Sequence, residues 1–265
     1  MNFLILGDIV GNPGKIALTR SLNNLITKNK IDFTIVNGEN AAEDGKGITK
    51  NISKIFFDLG VNVITSGNHI WDKSETVDFI SKENRLLRPA NLAEGSPGSG
   101  IGIYQKNEKK ITVINLMGNV FMRKTEDLFK FAENVKKKFL LKRNTDFLII
   151  DLHAEITSEK MALGHFFDGH ATCVVGTHTH VPTSDARILE NGTAYQTDLG
   201  MCGDYNSVIG MDKKNSIMRF LKDKNSKPHF PSEGQATLTG VIVEADLKTG
   251  LAKNIKQVIH GGNLK

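Results

Sequence analysis

The sequence predicts an α/β protein in which two β-sheets pack together with helices outside, and three observations carry that expectation. Short apolar runs recur along the chain and each is released by a glycine or a polar tip, as strands covered on both faces require. Segments with helical spacing of apolar residues lie between many of these runs, the alternation expected of strands joined by crossover helices. Later, Ala194–Asp198 and Gly240–Glu244 show alternation or β-branched content and suggest a second sheet of mixed direction. A chain of 265 residues can bury a large core. No Ser/Pro-rich or single-sign block marks a linker, so residues 1–265 are expected to form one domain.

The elements follow in order. Phe3–Leu6 is a short apolar run ending at Gly7, and Asp8 follows at the edge where open α/β sheets place their ligands. The next segment, I-V-G-N-P-G, lies between strand and helix, but glycines at 7, 11 and 14 lack the G-x-G-x-x-G spacing of a dinucleotide loop. Ile16–Ile26 has helical periodicity and would cross back over the sheet. Phe33–Val36 is the second strand and delivers Glu39 and Asn40 to the same edge. Ile52–Leu59 is a helix stopped by Gly60; Val61–Ile64 is a third strand that delivers Asn68 and His69. Between Asn84 and Gly102 a stretch rich in Gly, Pro and Ser predicts an irregular loop. Ile111–Leu116 is a strand and Glu126–Leu141 a helix; Phe147–Ile150 is the next buried strand, with His153 just beyond it. After a helix over Lys160–Phe167, the strand from Cys173 to Val175 ends at Gly176 and is followed by His178 and His180.

Composition excludes several classes. A formal charge of +5 mildly favours anionic substrates, but the lysines are scattered and the run Lys136, Lys137, Lys138 is a solvated helix face, so no specific nucleic-acid partner is inferred. Cys173 and Cys202 form neither a C-x-x-C pair nor a disulfide framework. The opening M-N-F-L-I-L-G-D is too short an apolar run for a signal peptide, and no stretch reaches transmembrane length, so the expected location is the cytoplasm, with no membrane partner.

The chemistry concentrates in C-V-V-G-T-H-T-H, where a buried strand runs into two imidazoles one residue apart. In extended backbone, residues i and i+2 point the same way, so His178 and His180 can face one site. By itself H-x-H suits a surface loop equally well. Its company decides: Asp8, Glu39, Asn40, Asn68, His69 and His153 also sit just after apolar runs. Carboxylate and amide oxygens mixed with imidazole match Mn, Fe, Zn or Co better than Ca or Mg, and the lack of thiolates argues against a structural zinc. Either Glu39 or Asp8 could be shared between two ions. Two ions about 3.5 to 4 Å apart clamp a phosphoryl group and bring a bound water's pKa to about 7, which makes hydrolysis at phosphorus the expected reaction.

The series G-D at 7–8, G-E-N at 38–40, G-N-H at 67–69, His153 and G-T-H-T-H resembles the motifs of calcineurin-like metallophosphoesterases. Through G-D-I-V-G, G-N-H-I-W-D, H-A-E-I-T-S-E-K and T-D-L-G-M, the chain more closely resembles the bacterial YmdB-type phosphodiesterases, from residue 1 to beyond 210. The resemblance implies a four-layer αββα sandwich, a dinuclear iron or manganese site that could also take up zinc, and hydrolysis of cyclic nucleotides such as 2′,3′-cyclic AMP. It makes Asp8, Asn40 and His180 ligands of one metal, Asn68, His153 and His178 ligands of the other, Glu39 the bridge and His69 the general acid. Two departures matter. The wider family's D-x-H is here Asp8, Ile9, Val10, a gap Asn40 could fill, and the acidic residue expected after G-N-H is Ile70. Asp72 could orient His69 instead, or be an exposed loop carboxylate. His165, His170 and His260 are expected to be structural, His229 is not assigned to the site, and Gly200, Met201 and Gly203 are expected to shape a loop on the substrate side. The competing functions are a phosphomonoesterase or protein phosphatase on the same ligands, and a metal-stabilised regulatory binding protein; a homo-oligomer is compatible with any of them.

Overall fold

The computed structural model describes residues 1–264. In chain order its elements are β1 (Asn2–Ile9), α1 (Gly11–Asn29), β2 (Phe33–Asn37), α2 (Lys50–Asp58), β3 (Val63–Thr65) and α3 (Ser74–Phe79). Next come β4 (Ile101–Lys106), β5 (Lys109–Met117), α4 (Leu128–Lys138), β6 (Phe147–His153), α5 (Thr157–Phe166) and β7 (Cys173–Thr177). The chain closes with β8 (Arg187–Ile188), β9 (Ala194–Gln196), β10 (Met201–Asp204), α6 (Lys213–Phe220), β11 (Ala236–Ala245) and β12 (Ala252–His260). No helix among the described residues is long and apolar enough to cross a membrane.

Two six-stranded mixed sheets result, ordered β12-β11-β10-β1-β2-β3 and β4-β5-β6-β7-β9-β8. Alternation along the strands decides the layers, because successive side chains leave a strand on opposite faces. Phe3 and Ile5 of β1, Phe33 and Ile35 of β2, Phe147 and Ile149 of β6, and Cys173 and Val175 of β7 meet in one core between the sheets. Leu4 and Leu6 face a second core with Leu18, Leu22 and Leu25 of α1 and Ile52 and Phe56 of α2. Leu148, Ile150 and Val174 face a third, with Ala132 and Val135 of α4 and Leu163 of α5. The order helix, sheet, sheet, helix is thus the αββα sandwich. Phe3 pins the sheets together, its ring edge-on to Phe147 at 5.2 Å and to Phe33 at 6.2 Å. Burying such a ring contributes about 1.5–3 kcal/mol, and each edge-on pair about 0.5–1.5 kcal/mol more.

The two late strands do not form a sheet together. Ala194–Gln196 extends the second sheet beside β7, whereas Gly240–Glu244 lies in β11, antiparallel to β1 in the first. Met201 and Gly203 belong to buried strand β10, parallel to β1 at Asp8 and Ile9, and do not form a substrate-side loop. His153 is the last residue of β6 and lies within the strand. The irregular stretch before Gly102 holds, but it gives way at Ile101 to edge strand β4, antiparallel to β5.

Candidate metal centre

Strands β1, β2 and β3 run parallel to one another, as do β5, β6, β7 and β9, so the carboxyl ends of β1, β2, β3, β6 and β7 can meet at one rim. Asp8 is the penultimate residue of β1. Glu39 and Asn40 follow β2 in a turn fixed by the Asn37 side chain, whose Oδ1 accepts the Glu39 N–H at 3.1 Å. All eight residues singled out in the sequence converge here. His153 Nε2 lies 2.9 Å from Glu39 Oε1, 3.1 Å from Asn68 Oδ1 and 3.0 Å from His178 Nδ1. His180 Nε2 lies 3.2 Å from Asn40 Oδ1, and the His178 N–H donates to Asp8 Oδ2 at 3.1 Å. His69 stands at the rim, its N–H donating to Glu39 Oε2 at 3.1 Å.

The histidines following β7 are not in extended backbone. His178 has φ 104° and His180 φ 65°, both in a region that costs a non-glycine residue roughly 1–3 kcal/mol. The kinked chain sends the rings to different neighbours, His178 toward His153 and His180 toward Asn40, and not together onto one spot.

The hydrogen bonds on the far side of each ring fix the direction in which the near side points. His153 Nδ1 lies 3.0 Å from Thr177 Oγ1, and that hydroxyl donates its proton to Asp151 at 2.8 Å, so it accepts from the ring. His180 Nδ1 donates to the Ile209 carbonyl at 2.7 Å, and His178 Nε2 faces the Glu155 carboxylate at 3.2 Å. An outer nitrogen held to an acceptor fixes the tautomer and turns the other nitrogen's lone pair inward, the usual arrangement around metal-ligating imidazole. Asn40 is set in the same way: its Nδ2 donates to the Gly45 carbonyl at 2.8 Å, so its oxygen is what faces His180. The inward atoms are therefore mostly acceptors against acceptors at about hydrogen-bond distance, an arrangement that repels unless a cation or proton lies among them.

The electrostatics agree. Burial opposes a charge on Glu39, but the adjacent His153 outweighs it and holds the carboxyl at about 2. Burial would lower His153, yet Glu39 and Asp8 raise it to about 8. Burial and the nearby His153 push His178 down to about 3, keeping that ring neutral. Burial lifts Asp8 to about 6 against the pull of His180 and His153, and its fully buried Oδ1 has no hydrogen-bond partner. The site thus favours positive charge beside Glu39. A cation there would replace the proton on His153 and take up the orphaned oxygen. Ligand atoms of Glu39, His153 and His178 lie within 4.8 Å of one another. Gly67 lets the chain pass over them, because a β-carbon there would sit 2.2 Å from Glu39 Oε2 and 2.3 Å from His153 Nε2. The oxygen and imidazole donors fit borderline divalent ions.

The departure after G-N-H also has a physical reason. Ile70 is buried in the helix-side core, which leaves no room for a carboxylate there. Asp72, one tight turn later, places Oδ2 2.7 Å from His69 Nδ1 and is itself held by Arg123 at 3.3 Å. His229, His165 and His170 are exposed, and His260 lies half-buried in β12. Thr177, Asp151, Glu155 and Arg123 were not singled out in the sequence. Asp151 and Glu155 flank His153 at two residues on either side, a spacing that could have flagged supporting carboxylates.

A family model described as YmdB-like protein matches residues 4–258. The chain is 45% identical over 260 residues to a 2′,3′-cyclic-nucleotide 2′-phosphodiesterase of Bacillus subtilis (strain 168), covering 98% of this chain and 97% of that one. Among solved structures it is similar to a novel phosphatase from Mycoplasma pneumoniae, with TM-score 0.90 and 36% identity over 99% of this chain and 94% of that one. A hypothetical protein from Thermus thermophilus superposes equally well, with TM-score 0.90 and 33% identity over 99% of this chain and 100% of that one.

Proposed function

The chain belongs to the YmdB-like family, and from that premise we propose that it is a metal-dependent phosphoric diester hydrolase acting on cyclic nucleotides of the 2′,3′ type. The observation that carries the metal part is the set of three imidazoles whose outer nitrogens are tied to Thr177, Glu155 and the Ile209 carbonyl. We assign Asp8, Asn40 and His180 to one ion, Asn68, His153 and His178 to the other, and Glu39 to both. When bound, such ions neutralise phosphoryl oxygens and supply water acidified enough to act at neutral pH.

The remaining work falls to the chain. His69 is only partly buried, and its Nδ1 lies 2.7 Å from Asp72 Oδ2, which fixes the orientation of the ring. The other ring nitrogen then donates its proton to the ribose oxygen leaving phosphorus. Arg123 shares Asp72 and adds one exposed cation near the site. A single exposed arginine suits a monoanionic diester better than a dianionic monoester, which favours a diester substrate. The whole chain acts as one domain in this reading. A cytoplasmic setting belongs to it too, supported by Cys173 and Cys202 being free, buried thiols.

Purified protein supplied with Mn²⁺ is expected to turn over adenosine 2′,3′-cyclic phosphate and an aryl phosphodiester. Turnover of a matched phosphomonoester should be weaker by about tenfold or more, equivalent to one lost charge-assisted contact. Efficient monoester hydrolysis with no activity on either diester would replace this reading with the phosphatase one.

A further inference from the structure

The motifs H-A-E-I-T-S-E-K and T-D-L-G-M each contain a charged residue with no part in the chemistry above. They meet in the interior: Lys160 Nζ and Asp198 Oδ2 are 2.6 Å apart, and both side chains are 1% exposed. A lysine and an aspartate are rarely taken so completely out of water, and a pair of this kind is weak evidence for stability alone. What the carboxylate holds is more informative. Asp198 Oδ2 also accepts the N–H of Thr179, the residue between His178 and His180. Its Oδ1 accepts the N–H of Gly200 at 2.8 Å, and the Gly200 carbonyl in turn accepts the N–H of Asp8 at 3.2 Å. One buried carboxylate therefore ties the segment carrying two of the proposed ligands to the backbone that holds a third. The tied segment is the one with positive φ at both His178 and His180, a conformation that persists only when its surroundings fix it. The lysine reaches its partner along the end of β7, where a β-carbon at Gly176 would come 2.8 Å from Lys160 Cδ.

We propose that Asp198, neutralised by Lys160, is a positioning residue that sets His178, His180 and Asp8 for metal. It touches neither substrate nor reacting atoms and acts through the Thr179 and Gly200 amides. The inference rests on the metal reading above and adds a determinant of affinity outside the ligand set.

The test uses two variants of the full chain, Asp198→Asn and the double variant Lys160→Met with Asp198→Asn. In the single variant the amide offers a donor to one of the two backbone N–H groups and Lys160 is left buried without its counter-charge, so both folding and metal binding should suffer. The double variant removes the stranded cation while keeping side-chain volume, a replacement that folds commonly tolerate. Three quantities are measured on protein stripped with a chelator: its Tm, its Mn²⁺ dissociation constants by calorimetry, and the visible absorption spectrum on Co²⁺ loading. The double variant is expected to recover much of the Tm lost by the single variant, yet still bind Mn²⁺ roughly 10- to 100-fold more weakly than wild type and give a changed Co²⁺ spectrum. Wild-type Mn²⁺ affinity and an unchanged Co²⁺ spectrum in either variant, with only Tm altered, would reduce the pair to a structural one and overturn the inference. Failure of the wild-type protein itself to bind Mn²⁺ would instead remove the metal reading, and this inference with it.

Discussion

On the proposed function, Glu39→Gln is expected to lose metal from both positions and to lower phosphodiester turnover by about 10³-fold or more, since the cations would supply both the charge neutralisation and the acidified water. The substitution keeps the shape and one oxygen but removes the charge. Glu39 is the buried carboxylate around which the cluster is built: one oxygen lies 2.9 Å from His153, and the other accepts the His69 N–H. Burial is outweighed by the adjacent His153, which holds the Glu39 carboxyl down at about 2, so the cluster favours the carboxylate form. Replacing a proposed ligand of one position alone, as in His180→Ala, should remove about one equivalent. Metal content by mass spectrometry, read beside turnover on the same preparations, separates the two cases; Glu39→Gln protein retaining two equivalents would remove Glu39 from its shared role.

His69→Ala should keep its metal and lose about 10²- to 10⁴-fold in turnover with a poor leaving group, the usual contribution of a general acid. An activated aryl ester needs little protonation and should lose much less. The geometry motivates the split, because His69 follows the proposed ligand Asn68 but directs its ring to Asp72 at 2.7 Å instead of into the cluster around His153. Asp72→Asn should give a smaller loss of the same pattern, about tenfold on the poor leaving group, equivalent to one charge-assisted hydrogen bond. Equal losses on both substrates, or metal loss from His69→Ala matching that of His178→Ala, would place His69 among the ligands or their supports.

Asp8, Glu39, Asn40, Asn68, His69 and His153 were legible in the sequence because each follows or ends an apolar run, and parallel strands deliver such residues to one rim. Less legible was how they are held. The extended-backbone premise for His178 and His180 fails, because no side-chain pattern announces positive φ at a histidine. The acceptor for His180 Nδ1 is the backbone carbonyl of Ile209, which carries no residue-type signal at all. Asp198 lies almost twenty residues beyond Thr179, and its hold on that amide exists only once β7 and β9 have paired. Strand β10 is hard to see in the sequence for a related reason. It is four residues long and contains a glycine, and its strand character comes from the neighbouring edges of β1 and β11, with little propensity of its own. The late strands are legible as strands but not as members of different sheets, since alternation reports that a segment is a strand and not which sheet receives it.

On the proposed function, the inward-facing nitrogens and oxygens of this rim hold two cations, and phosphodiester hydrolysis depends on both. The most direct measurement is a stepwise Mn²⁺ titration of chelator-stripped protein, with bound metal and turnover of adenosine 2′,3′-cyclic phosphate followed in the same samples. Binding is expected to saturate near two equivalents, with most of the activity appearing as the second is filled. Full activity in the stripped protein, or saturation of both binding and activity at one equivalent, would contradict it.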